Sequence, residues 1–311
     1  MKEALVVDVV RGGIVESVHV ADAAVVDSSG AVIDAVGDAL SLAAFRSSAK
    51  PLQSGACLEL GWVPPRDELL ALACGSHNGE PEHVAGVDEI LADAGLDETA
   101  LLCPPALPSA ALPDVVAAAG PQRSRYHNCS GKHAAMLATC VVRGWPLPSY
   151  RDPAHPLQRA IHETIEHLAG TLLETAVDGC GVVTFAAPLA ALARAFGAVA
   201  HEEPFRRASA AMRAHPFYVA GTGRLCTALM QNVEGLTVKV GAEGLVCATN
   251  GEMSMAVKVR DGSARAAAPF LIEMLRRGGA LPDPFPAALE SHAEPPVTGG
   301  GRIVGYLKIR A

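Results

Sequence analysis

A lysine followed directly by proline stands in the stretch FRSSAKPLQ, which runs from Phe45 to Gln53. Ser47 and Lys50 are three residues apart, and that spacing places two side chains on one face of a helix. A lysine amine can act as a base when burial or neighbouring cations remove its proton, whereas arginine stays charged. The pair therefore has the residue types and spacing of a serine nucleophile activated by a lysine. The alternative is a serine that caps a helix beside a surface lysine.

The scarcity of lysine makes its positions informative, because the 25 basic residues comprise only six lysines and 19 arginines. Pro51 fits in the first turn of a helix, where its missing N–H costs nothing, so the sequence predicts a helix start near Lys50. Ser47 would then lie at a helix N-terminus, where backbone N–H groups favour an oxyanion.

A second polar segment, ACGSHNGE, follows an apolar run and spans Ala73–Glu80. Its Ser76-x-Asn78 resembles the second motif of the penicillin-recognising serine enzymes. The alternative is a helix end and turn, with Gly75 or Gly79 at positive φ.

Lys258 lies in a late segment, AVKVRDG, that has the pattern of a strand. Val257 and Val259 would point to the opposite face of the sheet from the lysine. In penicillin-recognising folds a lysine on such a strand faces the nucleophile, although KVR replaces the expected KTG here. An exposed lysine on the sheet is the alternative.

Two cysteines lie in tight polar segments about fifty residues apart. Cys129 precedes Lys132 and His133 in HNCSGKHAAM, and Cys180 follows Asp178 in VDGCGV. Two such thiols could bind one zinc ion. Two buried thiols without a metal are the alternative.

The bulk composition excludes several classes of protein. Half of the 311 residues are hydrophobic, which provides a large core, and the net charge is −8. No basic patch is visible, so nucleic acid is not an expected partner. No run of 18 apolar residues predicts a membrane span. The segment MKEALVVDVVRGG lacks the features of a signal peptide, so we expect a cytoplasmic protein with reduced cysteines.

The hydrophobic pattern predicts strands at both ends of the chain and helices between them. We therefore expect an α+β fold in which N- and C-terminal strands form one antiparallel sheet with helices packed on it. The sequence predicts a single domain over residues 1–311, with a helical lobe at about 47–230. Expected strands are Leu5–Val10, Ile14–Val20, Ala24–Val26, Val32–Val36, Leu236–Val240, Leu245–Cys247, Met255–Arg260 and Ile303–Ile309, and the first expected helices are Lys50–Leu60 and Arg66–Ala73.

Taken together, FRSSAKPLQ, ACGSHNGE, HNCSGKHAAMLATC, DGCGVVTFAAPL and AVKV resemble the asparaginase II family typified by the thermolabile rhizobial L-asparaginase. The resemblance covers most of the chain, and HNCSGKH followed by DGCG is its most specific part. It implies a fold like that of serine β-lactamases and glutaminases. It also implies hydrolysis of L-asparagine to L-aspartate and ammonia, and a homodimer.

The resemblance also implies roles for individual residues. Two serine–lysine tandems would be catalytic, and one zinc ion would be held by two cysteines and a lysine. Three further residues would position substrate or water. The implied residues are Ser47 with Lys50 and Ser76 with Lys258 for catalysis, Cys129, Lys132 and Cys180 for zinc, and Arg46, His133 and Asp178 for positioning.

Two other functions fit parts of the pattern. Another serine–lysine hydrolase of the penicillin-recognising type would share the S-x-x-K pair. A non-enzymatic zinc-binding protein would share the cysteines but would not need the serine–lysine pair. The covalent nucleophile is also left open between Ser47 and Ser76, although helix N–H groups near Ser47 favour it.

Overall fold

The computed structural model describes residues 3–310, and its secondary structure begins with a long β-hairpin. The strands are β1 (Leu5–Arg11), β2 (Ile14–Asp27), β3 (Val32–Val36), β4 (Leu42–Ala44), β5 (Glu174–Val177), β6 (Val183–Pro188), β7 (Thr237–Val240), β8 (Leu245–Thr249), β9 (Met253–Val259), β10 (Pro296–Gly299) and β11 (Arg302–Ile309).

Most helices lie between β4 and β7. They are α1 (Lys50–Glu59), α2 (Asp67–Ala73), α3 (Pro81–Asp93), α4 (Pro113–Ala119), α5 (Ser130–Arg143), α6 (Pro156–Ala169), α7 (Leu189–His201), α8 (Phe205–Ala214), α9 (Pro216–Ala220), α10 (Leu225–Asn232), α11 (Ala264–Arg277) and α12 (Glu290–Ala293).

The chain forms two compact units. The first, which we call the sheet unit, comprises Met1–Ser48, Ala187–Gly197 and Ala228–Ala311. The second, which we call the helical unit, comprises Ala49–Ala186 and Ala198–Thr227. The prediction of a single domain over 1–311 stays a prediction, and residues 1, 2 and 311 of that range lie outside the described residues.

The sheet unit contains one antiparallel sheet with the strand order β10-β11-β1-β2-β9-β8-β7, and β3 pairs with β2. The register pairs Val7 with Ile309 and Ala24 with Ala256, so the two ends of the chain meet in one sheet. Helix α11 lies against β9, β11 and β1 and buries Phe270 and Leu271. The expected α+β fold, with N- and C-terminal strands in one antiparallel sheet, is confirmed.

The helical unit is built around α5, whose residues from Ser130 to Cys140 are all buried. Helices α1, α2, α3 and α6 contact it. Close helix approach requires small residues at two points: a Cβ on Gly131 would lie 2.7 Å from the Leu72 carbonyl oxygen, and one on Gly55 would lie 2.1 Å from the Phe205 ring. Gly131 lies in the first turn of α5, and the first turns of α1 and α5 carry the site residues Lys50 and Lys132.

No helix within residues 3–310 is long and apolar enough to cross a membrane. All eight cysteines are buried, and the expectation that they are reduced stays a prediction.

Candidate functional site

Helix α1 starts at Lys50, as predicted, and Pro51 occupies its first turn. A 3₁₀ turn over Arg46–Ala49 precedes it, so Ser47 lies in that turn and Ala49 is the capping residue. The Ser48 hydroxyl donates to the Phe45 carbonyl at 2.8 Å, which commits that serine to the backbone.

The Lys50 amine is completely buried in the helical unit and lies among three oxygen atoms. Its Nζ is 2.5 Å from the Gly75 carbonyl, 2.9 Å from Ser76 Oγ and 3.3 Å from the Asn128 carbonyl. A neutral amine has two N–H groups and one lone pair. The two carbonyls can accept those N–H groups, which leaves the lone pair to accept the proton of Ser76. The contact therefore has the geometry of a general base and a nucleophile.

Ser76 owes its position to the glycine before it. A Cβ on Gly75 would lie within 2.8–2.9 Å of the carbonyl oxygens of Leu72, Val219 and Tyr218, so only glycine fits there. The Ser76 N–H donates to the Val219 carbonyl at 2.7 Å. Gly79 has φ +77°, as expected for a turn, whereas Gly75 is required by close backbone approach and not by positive φ.

The histidine after Ser76 is held neutral. His77 Nδ1 accepts from the Gly79 N–H at 3.1 Å, so its proton lies on Nε2, 3.0 Å from Ser130 Oγ. The Ser130 hydroxyl in turn donates to the Arg125 carbonyl at 2.9 Å. Burial, with smaller contributions from His83 and Lys50, lowers the pKa of His77 well below its ordinary value.

The two predicted zinc-binding cysteines meet beside Lys132. Lys132 Nζ is 3.2 Å from Cys180 Sγ, and Cys180 hydrogen-bonds Cys129. That hydrogen bond, together with the charges of Lys50 and Lys132, lowers the pKa of Cys129 well below its ordinary value, although burial opposes the shift. Burial opposes ionisation of Lys132, but Cys180, Cys129 and Asp178 together raise its pKa.

The turn that carries Cys180 is fixed by Asp178. The Gly179 N–H donates to Asp178 Oδ1 at 2.7 Å, and the Gly181 N–H donates to the Asp178 carbonyl at 2.8 Å. Asp178 Oδ2 lies 4.0 Å from Cys180 Sγ. Gly181 has φ +88°, which favours glycine at this point of the turn.

A buried histidine and tyrosine lie behind the thiols. Tyr150 Oη accepts from the Leu102 N–H at 3.1 Å and is 2.6 Å from His133 Nδ1, so the hydroxyl donates to that nitrogen. The proton of His133 is then on Nε2, which has no partner at ordinary hydrogen-bond distance within residues 3–310. Its interaction with the Cys180 thiol is therefore a long one. Burial lowers the pKa of His133 to about 4, while Cys180 opposes the shift.

A metal site of the usual kind is not visible. No group of three His, Cys, Asp or Glu side chains in the described part of the chain could hold a metal ion. The convergent donors are two thiols and the Lys132 amine, a set of sulfur and nitrogen ligands that suits zinc if the amine is neutral.

The remaining predicted residues lie in the sheet unit. Arg46 has φ +47°, a left-handed conformation that is uncommon for a residue other than glycine and often marks a functional position. Lys258 in β9 donates to the carbonyls of Glu243 at 2.7 Å and Val259 at 2.6 Å. Partial burial lowers the pKa of Lys258, although Glu243, Asp261 and Asp22 oppose the shift.

Within the helical unit, then, the structure brings Lys50 to Ser76, and Cys129, Lys132, His133 and Asp178 to Cys180. The predicted roles of these residues, and of Arg46, Ser47 and Lys258 in the sheet unit, stay predictions. Sequence reasoning gave no role to Tyr150, Glu80 or Arg224. The two glycines of the segment GTGR before α10 were the available signal for Arg224.

Comparison with known proteins adds a family match. The profile described as L-asparaginase II matches residues 7–309. A search of curated protein sequences finds no significant match.

Solved structures of Mglu are similar in part. One has 14% sequence identity and a TM-score of 0.47, and the match covers 83% of this chain and 66% of that chain. A native form in the presence of 4.3 M NaCl has 15% identity, a TM-score of 0.46 and coverages of 90% and 66%. Its glutamate form has 14% identity, a TM-score of 0.47 and coverages of 83% and 61%. The chain thus spans less than two thirds of the length of these Mglu chains.

Proposed function

Since this chain belongs to the asparaginase II family, we propose that it is an amidohydrolase that converts L-asparagine to L-aspartate and ammonia. The family match supports the reaction class. The observation that carries the mechanism is the buried contact of 2.9 Å between Lys50 Nζ and Ser76 Oγ. A fully buried lysine at a serine hydroxyl is the arrangement that a serine–lysine hydrolase needs.

The reaction is an acyl transfer in two stages. Neutral Lys50 takes the Ser76 proton as Oγ forms a bond to the side-chain amide carbon of the substrate. The C–N bond then breaks, and the protonated amine returns its proton to the leaving ammonia. Water next adds to the aspartyl ester, Lys50 takes a proton from it, and the C–O bond breaks to release L-aspartate and restore Ser76.

The role of the second serine is part of the same proposal. The sequence prediction assigns Ser47 to Lys50 and Ser76 to Lys258, with Ser47 as the favoured nucleophile. The contact of Lys50 with Ser76 instead favours Ser76. Ser76→Ala and Ser47→Ala distinguish the two: only the variant that lacks the nucleophile will fail to form an acyl-enzyme in rapid-quench mass spectrometry with L-asparagine.

We assign Cys129, Lys132 and Cys180 as the residues that would hold one zinc ion per chain. The support is the proximity of the three donor groups and the preference of zinc for sulfur and nitrogen. When bound, zinc would supply a cation that helps place the polar groups of the substrate. His133 and Asp178 lie beside Cys180 and would position substrate or water, as would Arg46.

Metal analysis of purified protein tests the zinc assignment. Cys129→Ser and Cys180→Ser should each lose zinc relative to the parent, whereas Cys247→Ser, a buried thiol of the sheet unit, should keep it. Full zinc content in both site variants would show that the metal is held elsewhere or not at all.

Ammonia release from a panel of amides tests the activity. We expect L-asparagine to be preferred over L-glutamine, because one extra methylene moves the amide away from a fixed nucleophile and misplacement can cost about 100-fold. Rapid turnover of nitrocefin without asparaginase activity would instead indicate a penicillin-recognising hydrolase. Absence of any amidase activity in zinc-replete protein would favour a non-enzymatic zinc-binding protein. The homodimer and the cytoplasmic location stay predictions.

A further inference from the structure

Two segments of the helical unit lie side by side next to Ser76. One is the loop from Gly75 to Glu80, and the other runs from Tyr218 to Arg224. The Ser76 N–H donates to the Val219 carbonyl at 2.7 Å, and the Asn78 side-chain amide donates to the Thr222 carbonyl at 3.0 Å. The second segment therefore runs alongside the first from Ser76 to Asn78.

Asn78 and Glu80 clamp the second segment. The Glu80 carboxylate accepts from the Thr222 N–H at 2.9 Å, from the Thr222 hydroxyl at 2.7 Å and from the Asn78 amide at 3.1 Å. The Asn78 amide oxygen accepts from Arg224 Nη1 at 2.8 Å. Both groups are buried and both are occupied by the clamp, so the Asn of the S-x-N motif serves to hold a loop.

The clamp depends on a glycine. Gly221 has φ +103°, and a Cβ there would lie 2.3 Å from Glu80 Oε1 and 2.7 Å from Asn78 Nδ2. The next two residues, Thr222 and Gly223, are exposed, and Arg224 is half-buried. A rigid base thus presents a short accessible segment that ends in an arginine.

Arg224 has spare hydrogen-bonding capacity. A guanidinium has five N–H donors, and the contact with Asn78 uses one of them. Among residues 3–310 no carboxylate forms an ion pair with Arg224, whereas Arg66, Arg123 and Arg125 of the same unit each pair with one. The remaining N–H groups match a carboxylate, which arginine binds bidentately.

We propose that Arg224 binds the α-carboxylate of the substrate and that Asn78 positions it for this contact. The inference rests on the proposed amidohydrolase function. Ser76 and Asn78 are two residues apart, so their Cα atoms lie within about 7 Å of each other. The Asn78 side chain and its hydrogen bond then place the guanidinium within about 13 Å of the Ser76 Cα. The same distance can be counted through a bound substrate. The Ser76 side chain, an asparagine whose amide carbon contacts Oγ, and a hydrogen bond from its α-carboxylate to arginine together span about as far from the Ser76 Cα.

A carboxylate contact at this point would select the substrate class. A free amino acid with a side-chain amide would be bound at both ends, by Ser76 and by Arg224. An asparagine within a peptide, whose carboxyl is part of an amide bond, would lose the charged contact. The site would therefore prefer free L-asparagine, or a C-terminal asparagine, over internal asparaginyl residues.

The test compares L-asparagine with L-asparaginamide, in which a neutral amide replaces the α-carboxylate. The parent protein should prefer L-asparagine, and Arg224→Gln should lower kcat/KM for L-asparagine about 10- to 100-fold, as expected for loss of a charged hydrogen bond. The loss should lie mainly in KM, and the value for L-asparaginamide should change little. Arg224→Lys should restore part of the preference, because the charge remains.

Arg206→Ala is the matched control, because Arg206 is an exposed arginine that pairs with Glu203. It should keep the parent preference. If Arg224→Gln still prefers L-asparagine as strongly as the parent does, the proposal is wrong.

A binding measurement separates this inference from the proposed function. Calorimetry of L-asparagine and L-aspartate should show weaker binding to Arg224→Gln than to the parent. If the parent releases no ammonia but binds L-asparagine through Arg224, the carboxylate site stands and the proposed reaction fails. If the parent and Arg224→Gln bind both ligands equally, or neither protein binds them, the carboxylate site is overturned.

Discussion

Two completely buried lysines, one in each compact unit, differ in what their amines contact. Lys50 of the helical unit lies 2.9 Å from the Ser76 hydroxyl. Lys239 of the sheet unit lies in β7 and donates to the Val240 carbonyl at 2.9 Å. Both side chains have 0% exposure. Burial is common to both amines, and the feature that identifies Lys50 as a candidate base is its contact with a hydroxyl that can give up a proton.

The largest expected effect is that of Lys50→Arg. Arginine keeps the charge but cannot accept a proton, so we expect kcat for L-asparagine to fall about 10²–10⁴-fold. The measurement is steady-state ammonia release, with thermal unfolding to show that the protein is folded. A variant that retains most of the activity would mean that the Lys50 amine only satisfies backbone carbonyls and is not the base.

Lys258→Arg tests whether a lysine of the sheet unit acts as a second catalytic base beside Lys50. If Lys258 is the second catalytic base, as the sequence predicts, we expect a fall of about 100-fold, at the lower end of general-base effects. Its hydrogen bonds to the carbonyl oxygens of Glu243 and Val259 could equally be made by arginine. Near-parental activity together with an inactive Lys50→Arg would remove Lys258 from the mechanism and leave Lys50 with Ser76.

Tyr150→Phe tests the hydrogen bonds that the buried Tyr150 hydroxyl makes with Leu102 and His133. The change removes the partner of the Leu102 N–H and of His133 Nδ1, and we expect a loss of about 1–3 kcal/mol in the free energy of unfolding. Urea unfolding measures it. Tyr126→Phe is the control, because that half-buried hydroxyl donates only to the Ala119 carbonyl, and it should cost less. Equal losses would show that the His133 contact adds no stability.

The pH dependence of stability gives the smallest effect. The pKa of His77 is lowered in the folded protein, so the unfolded chain binds more protons once the pH falls below about 6.5. Stability contributed by neutral His77 is therefore present above that pH and is lost as the pH falls. One such group contributes about 1.4 kcal/mol per pH unit. Urea unfolding of the parent should show a steeper decline from pH 7 to 5 than that of His77→Gln, and identical slopes would contradict the assignment.

The sheet was predictable from sequence because its strands have a strong apolar pattern, but two of the expected strands are one continuous strand in the structure. Ile14–Val20 and Ala24–Val26 were expected as two strands. The structure has one strand, β2, from Ile14 to Asp27. Asp22 is tolerated in it because Arg260 pairs with its carboxylate and the Asp38 N–H donates to it. A partner more than two hundred residues away could not be read from the local pattern.

For the site, the sequence predicted which segments take part but not which side chains are in contact. Pro51 fixed the start of α1, and the polar glycine-rich segments marked the right loops. The contact of Lys50 with Ser76 could not be read from residue spacing, because it depends on close backbone approach at Gly75. Strands β5 and β6, which pair Thr175 with Phe185, were not predicted. Strand β6 lies in the apolar run VVTFAAPLAALARAF, which also fits a buried helix.

The distribution of amines also decides how the protein could be attached to a surface. Lys50, Lys132 and Lys239 are buried, Lys258 is half-buried, and Lys308 in β11 is 51% exposed. Among the lysines of residues 3–310, amine-reactive resins and dyes will therefore modify Lys308 first. Immobilisation through that residue would leave the amines beside Ser76 and Cys180 chemically intact, so a supported form of the protein should retain them.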